Sequence, residues 1–317
     1  RICRNDHGGV WLVGSDCVLV RNHIGESAGP GVLVDGVSCA QVRRNCVTSG
    51  TSHGIILRDS TCTPIIADNE IERNAGVGIR VEAGVAGVVD MNKISNNCET
   101  GIIIETGSGI SVTQNTLIRN GSCGIEINDH FSGQISENTI CESQTHGISV
   151  SGVHSAPVIE KNKIEHCQLD GVHLVDSGGT LKENIIIAAE RHGLLLQGQC
   201  HSELLKNHVS QCRQAAVQLC GRTTAVCLQN VVSNNEQEGV TIMETAQPTF
   251  EDNVVSLNKG GGMSVFAGGK VLRNRVHDNF KFGIKLEGVS ASAYLRGNTI
   301  SSNNGHGLLF QNNCARI

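Results

Sequence analysis

The chain has 317 residues, a formal net charge of -5 and a pI near 6.2. That charge leaves no basic field for counterion-driven binding and argues against a nucleic-acid partner. No apolar run reaches the roughly 18 residues of a membrane span, and the amino terminus, RICRNDHGG, lacks the apolar stretch of a signal peptide, so no membrane partner is expected.

Hydrophobic residues make up 39% of the chain but aromatics only 3%, while glycine reaches 38 residues, so small and β-branched side chains must fill the interior. The first elements begin inside a repeat, since Ile2, Gly9, Val10 and Leu12 already occupy positions that recur later. From there an asparagine in the form x-Asn-x-[Ile/Val/Leu] returns at 22, 45, 69, 92, 115, 138, 162, 184, 207, 230, 253, 274 and 298, in steps of 21 to 24. Nine residues after each asparagine stands glycine, with Ala216 as the one substitute. Apolar residues occupy positions three before and two, ten and twelve after the asparagine, as in Ile55 and Leu57, Ile79 and Val81, and Ile102 and Ile104. Such alternation predicts three short strands per repeat: one before the asparagine, one after it and one after the glycine.

The expected fold is therefore all-β: a right-handed, single-stranded parallel β-helix of about 13–14 coils. It forms one domain over residues 1–317, and because the coils at both ends are open, the chain reads as a fragment of a longer protein. Asn45, Asn69, Asn92, Asn115 and Asn138 are expected to form an inward ladder that satisfies turn backbone groups and tolerates left-handed conformations. Gly54, Gly78, Gly101, Gly124 and Gly147 are expected to supply a sharp corner. A second ladder, five residues later, includes Asn74, Asn97, Asn120, Asn235, Asn258, Asn279 and Asn303.

The fourteen cysteines show no CxxC and no finger-like ligand spacing, which reads as reduced, small apolar filler. Cys39 and Cys62 each lie seventeen residues after a repeat asparagine in successive coils, so a disulfide is open there, with packing the preferred reading.

The stretch NKISNNCETGIII, from Asn92 to Ile104, resembles the right-handed β-helix repeats of the pectin-lyase-like superfamily, and the resemblance covers essentially the whole chain. The loop-free form of about 23 residues is similar to β-helix F-box proteins, Shc-binding proteins and periplasmic copper-site maturation proteins. Resemblance to the intracellular first two implies recognition of other proteins and a cytoplasmic location. Such a motif specifies fold far more strongly than activity.

Carbohydrate-active members of that superfamily build grooves from inserted loops and aromatic platforms, and this chain has no inserted loop, one Trp, one Tyr and six Phe. Gly305-His306-Gly307 falls on the repeat glycine, and His53, His146 and His192 share a repeat position in non-adjacent coils, so no metal set and no cofactor is expected. Glu82 and Glu105 each stand thirteen residues after an asparagine in successive coils, and the resulting acidic edge, with Asp59 and Asp129 nearby, is the candidate catalytic pair if the protein is an enzyme. Arg80 and His173 lie on the neighbouring outward row. Trp11, Leu33, Ile56 and Ile103 place apolar side chains on that row and are the candidate anchors for a protein or peptide. The favoured expectation is thus a non-catalytic scaffold. The alternative is a polysaccharide-processing enzyme or carbohydrate-binding module at Glu82 and Glu105, and a purely architectural rod is a third.

Overall fold

A computed structural model describes residues 1–59 and 63–312. The chain is a right-handed parallel β-helix of about thirteen coils with three strands per coil and no helix among the described residues. It divides into two compact units, residues 1–163 and 164–317.

In residues 1–163 the strand after the asparagine stacks in parallel on its equivalents to form sheet A, as in Glu70–Glu72, Lys93–Ser95 and Thr116–Ile118. Sheet B holds the strands after the glycine, such as Ile79–Val81, Ile102–Ile104 and Ile125–Ile127. Sheet C holds those before the asparagine, such as Ala86–Asp90 and Gly109–Thr113. Equal repeat lengths put like residues directly over one another, so Ile71, Ile94 and Leu117 form one continuous apolar column. Their side chains are almost wholly buried, each worth about 1.5–3 kcal/mol relative to exposure. Residues 164–317 repeat the plan, with Val209, Val232, Val255 and Val276 forming the matching column.

The asparagine ladder lies inside. In each coil the backbone N–H and the side-chain Nδ2 both donate to the Oδ1 of the next ladder asparagine, as from Asn69 to Asn92 at 3.0 and 2.9 Å. Nδ2 also donates back to a sheet C carbonyl, such as Val42 O at 2.8 Å from Asn69. Asn45, Asn69, Asn92, Asn115 and Asn138 are all buried.

The corners differ from the expectation. The left-handed residue is the one before the ladder asparagine, with φ of 54° at Arg44, 56° at Asp68, 52° at Met91 and 54° at Gln114. A second left-handed residue precedes the second ladder, at Arg73, Asn96 and Arg119. These side chains project outward, and the asparagine that follows ties down the corner's backbone. The repeat glycines Gly54, Gly78, Gly101 and Gly124 have no left-handed φ. They are required because a Cβ would be driven into the core: at Gly78 it would lie 2.5 Å from Ile94 Cγ2 and 2.6 Å from Gly101 O. The constraint is crowding, not backbone conformation.

Cys62 lies outside the described residues, so the pairing considered with Cys39 is not addressed; Cys39 Sγ sits 3.2 Å from Thr63 Oγ1. Cys200, Cys212, Cys220 and Cys227 are buried cysteines outside any disulfide. Burial pushes Cys212 up to about 12 and Cys220 up to about 11, so both are protonated core fillers at neutral pH.

One histidine serves as a hydrogen-bond acceptor between successive coils. The Val77 backbone N–H donates to His53 Nδ1 at 2.9 Å. Burial, aided by the charge of Arg80, holds this imidazole below its ordinary value. A folded pKa below the unfolded one means that the unfolded chain takes up the proton first as pH falls. The stabilisation is therefore complete above the unfolded value of about 6.5 and is lost as pH drops from there through the folded value. Protonating Nδ1 also removes the acceptor, at a cost of order 1 kcal/mol. Thermal melts at pH 7.5 and 5.5 should show a smaller acid-induced drop in Tm for His53→Ala than for the unaltered chain; equal drops would contradict this account.

Candidate functional site

Outward-facing side chains of sheet B form two parallel columns, eleven and thirteen residues after the asparagine. In residues 1–163 the first column runs Trp11, Leu33, Ile56, Arg80, Ile103, Glu126 and Ser149. Arg80 stands between Ile56 and Ile103, Ile56 is only 7% exposed, and Leu33 and Ile103 are half-buried. Of the four candidate anchors only Trp11, 65% exposed, projects freely. It borders a cleft of ≈ 450 Å³ lined also by His7, Val10, Pro30 and Leu33.

The second column contains Arg58, Glu82 and Glu105. Glu82 is gripped by Arg58, with Nε to Oε2 at 3.0 Å and Nη2 to Oε1 at 3.3 Å. Glu105 accepts from Arg80 Nη2 at 2.5 Å. The Ser108 hydroxyl donates to the carbonyls of both Glu82 and Glu105, at 3.0 and 2.9 Å, and pins the turn behind them. The expected pair of facing carboxylates is thus a quartet in which each acid is matched by a guanidinium from the preceding coil. The Glu82 carboxylate, by hydrogen bond and charge, pushes Arg58 above its ordinary value. The pairs are partly exposed, with side-chain exposures of 47% and 25% for Arg58 and Glu82. Surface pairs of this kind contribute about 0–1 kcal/mol to stability, so the fold does not depend on them. Arg58 was missed on sequence because only acids were compared; it stands thirteen residues after Asn45, in the column of Glu82. Asp59 and Asp129 lie at the next turn position, fourteen residues after Asn45 and Asn115, and Asp129 Oδ1 accepts from the backbone N–H groups of His130 and His154.

Residues 164–317 carry a different group on sheet B. Asp170 has a fully buried side chain whose Oδ1 accepts the His192 backbone N–H at 3.0 Å. Arg191 Nη1 lies 3.9 Å from its Oδ2, and a ring nitrogen of His173 lies within 4.8 Å of the carboxylate. His173 is half-buried and faces outward on the strand Val172–Val175. Burial lowers the His192 imidazole below its ordinary value, and its Nδ1 sits 3.0 Å from Ala215 O. Comparing histidines only with histidines hid this group. Asp170 occupies the register of His192 one coil earlier and lies three residues before His173. His306 is exposed and in the repeat position expected.

Residues 1–133 and 124–272 match the family described as right handed beta helix region. The chain belongs to the right-handed β-helix family. This β-helix is similar to a double mutant of the periplasmic alginate epimerase AlgG, at 14% identity and a TM-score of 0.61 over 91% of this chain and 77% of that one. Unmodified AlgG gives 13% identity and 0.56 over the same shares. The Dettilon tailspike protein gives 11% and 0.55 over 95% of this chain and 62% of that one. No curated protein sequence matches.

Three expectations are corrected here. The non-catalytic scaffold for protein recognition does not stand: the solved structures with this coil include an alginate epimerase, and Ile56, one of the four anchors, is buried. The lean away from an enzyme falls with it. The cytoplasmic location does not stand either, because that epimerase is periplasmic.

Proposed function

We propose that this β-helix binds a polysaccharide along the outward face of sheet B in residues 1–163, outside the cytoplasm. The observation that carries the reading is the guanidinium–carboxylate quartet of Arg58, Glu82, Arg80 and Glu105. Planar charged groups held rigidly in two columns present donors and acceptors to sugar hydroxyls at the coil spacing of about 4.8 Å. Paired charges suit a substrate that brings both hydroxyls and carboxylates, since each arginine keeps free N–H groups while its partner keeps a free lone pair. Trp11, exposed beside its cleft, supplies an aromatic face for a sugar ring. The resemblance in fold to an alginate epimerase makes a uronate polymer the first to try.

Turnover of such a polymer is a second reading, favoured by Asp170 and His173. A buried carboxylate within 4.8 Å of a half-buried imidazole favours the ring as a general base, whether toward a sugar C–H or toward water. Affinity electrophoresis in gels containing alginate, pectate or a neutral glucan tests the first reading, and proton NMR of the recovered polymer tests the second. Retardation by one polymer should weaken about tenfold in Arg80→Met and Glu105→Gln, as for loss of a charged hydrogen bond. His173→Ala should abolish product while leaving retardation intact. A chain retarded by no polymer, or variants that behave like the parent, would overturn the binding reading; unchanged product from His173→Ala would overturn the catalytic one.

A further inference from the structure

On the turns from sheet B to sheet C in two successive coils of residues 1–163, three side chains converge that take no part in the quartet. We infer that Asp129, His130 and His154 form a binding site for a late first-row divalent cation such as Zn²⁺. Asp129 Oδ2 lies 3.0 Å from His130 Nδ1 and 3.6 Å from His154 Nδ1. All three ligand atoms fall within 4.8 Å of one another. Two ligands bound to zinc at about 2.1 Å sit about 3.0–3.4 Å apart at octahedral or tetrahedral angles, which the two Asp129–histidine spacings nearly match, while the two imidazoles have to tilt together to close on a metal.

The cluster is held in place before any ion arrives. Asp129 Oδ1 is saturated by the backbone N–H groups of His130, at 2.9 Å, and His154, at 3.2 Å, which turns Oδ2 toward the two rings. His130 is placed by a left-handed backbone with φ 61°. Each histidine is followed by a buried residue, Phe131 and Ser155, and Ala156 N donates to Phe131 O at 2.8 Å, locking one turn over the other. Gly152 leaves room for the carboxylate, because a Cβ there would collide with Asp129 Oδ1. The imidazoles stack with centroids 4.3 Å apart and planes 25° from parallel, both presenting Nδ1 to the same side.

The donor set selects the ion. Two imidazoles and one carboxylate favour Zn²⁺, Cu²⁺ or Ni²⁺ over Ca²⁺ and Mg²⁺, which take oxygen ligands. Three protein ligands at a surface turn leave coordination positions for water or an anionic group. Asp129, His130 and His154 are 37%, 52% and 61% exposed at the side chain, so an ion reaches them without opening the coil.

The test is calorimetric titration of ZnCl₂ into the tag-free, EDTA-stripped chain. One equivalent should bind, with affinity lowered about tenfold or more in His130→Ala and in His154→Ala, lost in the double variant, and unchanged in His166→Ala, which alters an exposed histidine elsewhere. Zn²⁺ should also protect His130 and His154 of the unaltered chain from diethyl pyrocarbonate relative to His166, a readout that needs no variant. Equal zinc binding by parent and double variant, no zinc binding by the parent, or unprotected labelling of His130 and His154 would overturn the site. None of these outcomes depends on whether a polysaccharide binds.

Discussion

Gly101→Ala is expected to destabilise the coil by about 2–3 kcal/mol, the upper part of the range for forcing atoms into a packed interior. The added Cβ would lie 2.7 Å from Gly124 O, 2.8 Å from Leu117 Cδ2 and 3.0 Å from Asn120 Nδ2. None of these neighbours yields cheaply. Gly124 O accepts the Ile102 N–H at 3.0 Å, so moving it weakens the ladder of sheet B. Leu117 belongs to the sheet A core column, and Asn120 Nδ2 donates to Ile94 O at 3.1 Å. Ala216 occupies the same register in another coil and is fully buried; a coil built around that methyl group accommodates it, whereas one built around glycine has to move. Gly107 is the informative control. It has φ 72° with nothing within 4 Å of an added Cβ, so Gly107→Ala costs only left-handed strain of about 1–2 kcal/mol. Urea titrations with a common m-value measure both, and a cost at Gly101 no larger than at Gly107 would refute the crowding account.

What the sequence made legible follows from how strictly a coil repeats. Asn92 and Ile94, or Gly78 and Ile79, recur at fixed intervals because a one-residue slip would turn every inward side chain outward. Strands, sheets and both asparagine ladders could therefore be read from spacing alone. The purpose of the glycines could not: a corner residue and a residue with no room for a Cβ leave the same letter, and only the contacts of Gly78 with Ile94 and Gly101 distinguish them. Side-chain pairing was equally hidden. Glu82 and Glu105 share a column, but Arg58 meets Glu82 from one coil earlier in that same column, and Arg80 reaches diagonally from the neighbouring column to Glu105. Ile56 alternates outward yet is covered by its neighbours. Asp129, His130 and His154 fall at different repeat positions, and a search along columns passes between them; only the stacking of two turns brings them together. Function was the least legible. A uniform coil constrains its interior, and the outward columns vary without breaking it.

Asn115→Ala should be the other large loss, about 2–4 kcal/mol, because the side chain serves three coils at once. Its Oδ1 accepts from Asn92 N at 2.9 Å and from Asn92 Nδ2 at 3.0 Å. Its Nδ2 donates to Val89 O and Thr113 O, both at 2.9 Å, and to Asn138 Oδ1 at 3.0 Å. With Asn115 only 1% exposed, water cannot replace these partners, and truncation strands the Asn92 N–H in the interior and takes one donor from Val89 O. The Asn92 backbone follows Met91, whose φ of 52° is one of the left-handed corners. That corner loses the bond that offsets its strain, so the damage spreads to the turn from sheet C to sheet A. Asn115→Asp should be no better, since a carboxylate keeps the acceptor but loses every donor and adds a buried charge. At the first ladder position, where Asn22 is half-buried and its Nδ2 reaches only Val20 O and Asn45 Oδ1, the corresponding alanine change should cost distinctly less. Equal losses at Asn22 and Asn115 would mean that the side-chain bonds add along the chain without cooperating. A loss confined to Asn115, with hydrogen exchange accelerated at Asn92 and Gln114 but not at Asn22, is the outcome expected if the ladder acts as a single buried network.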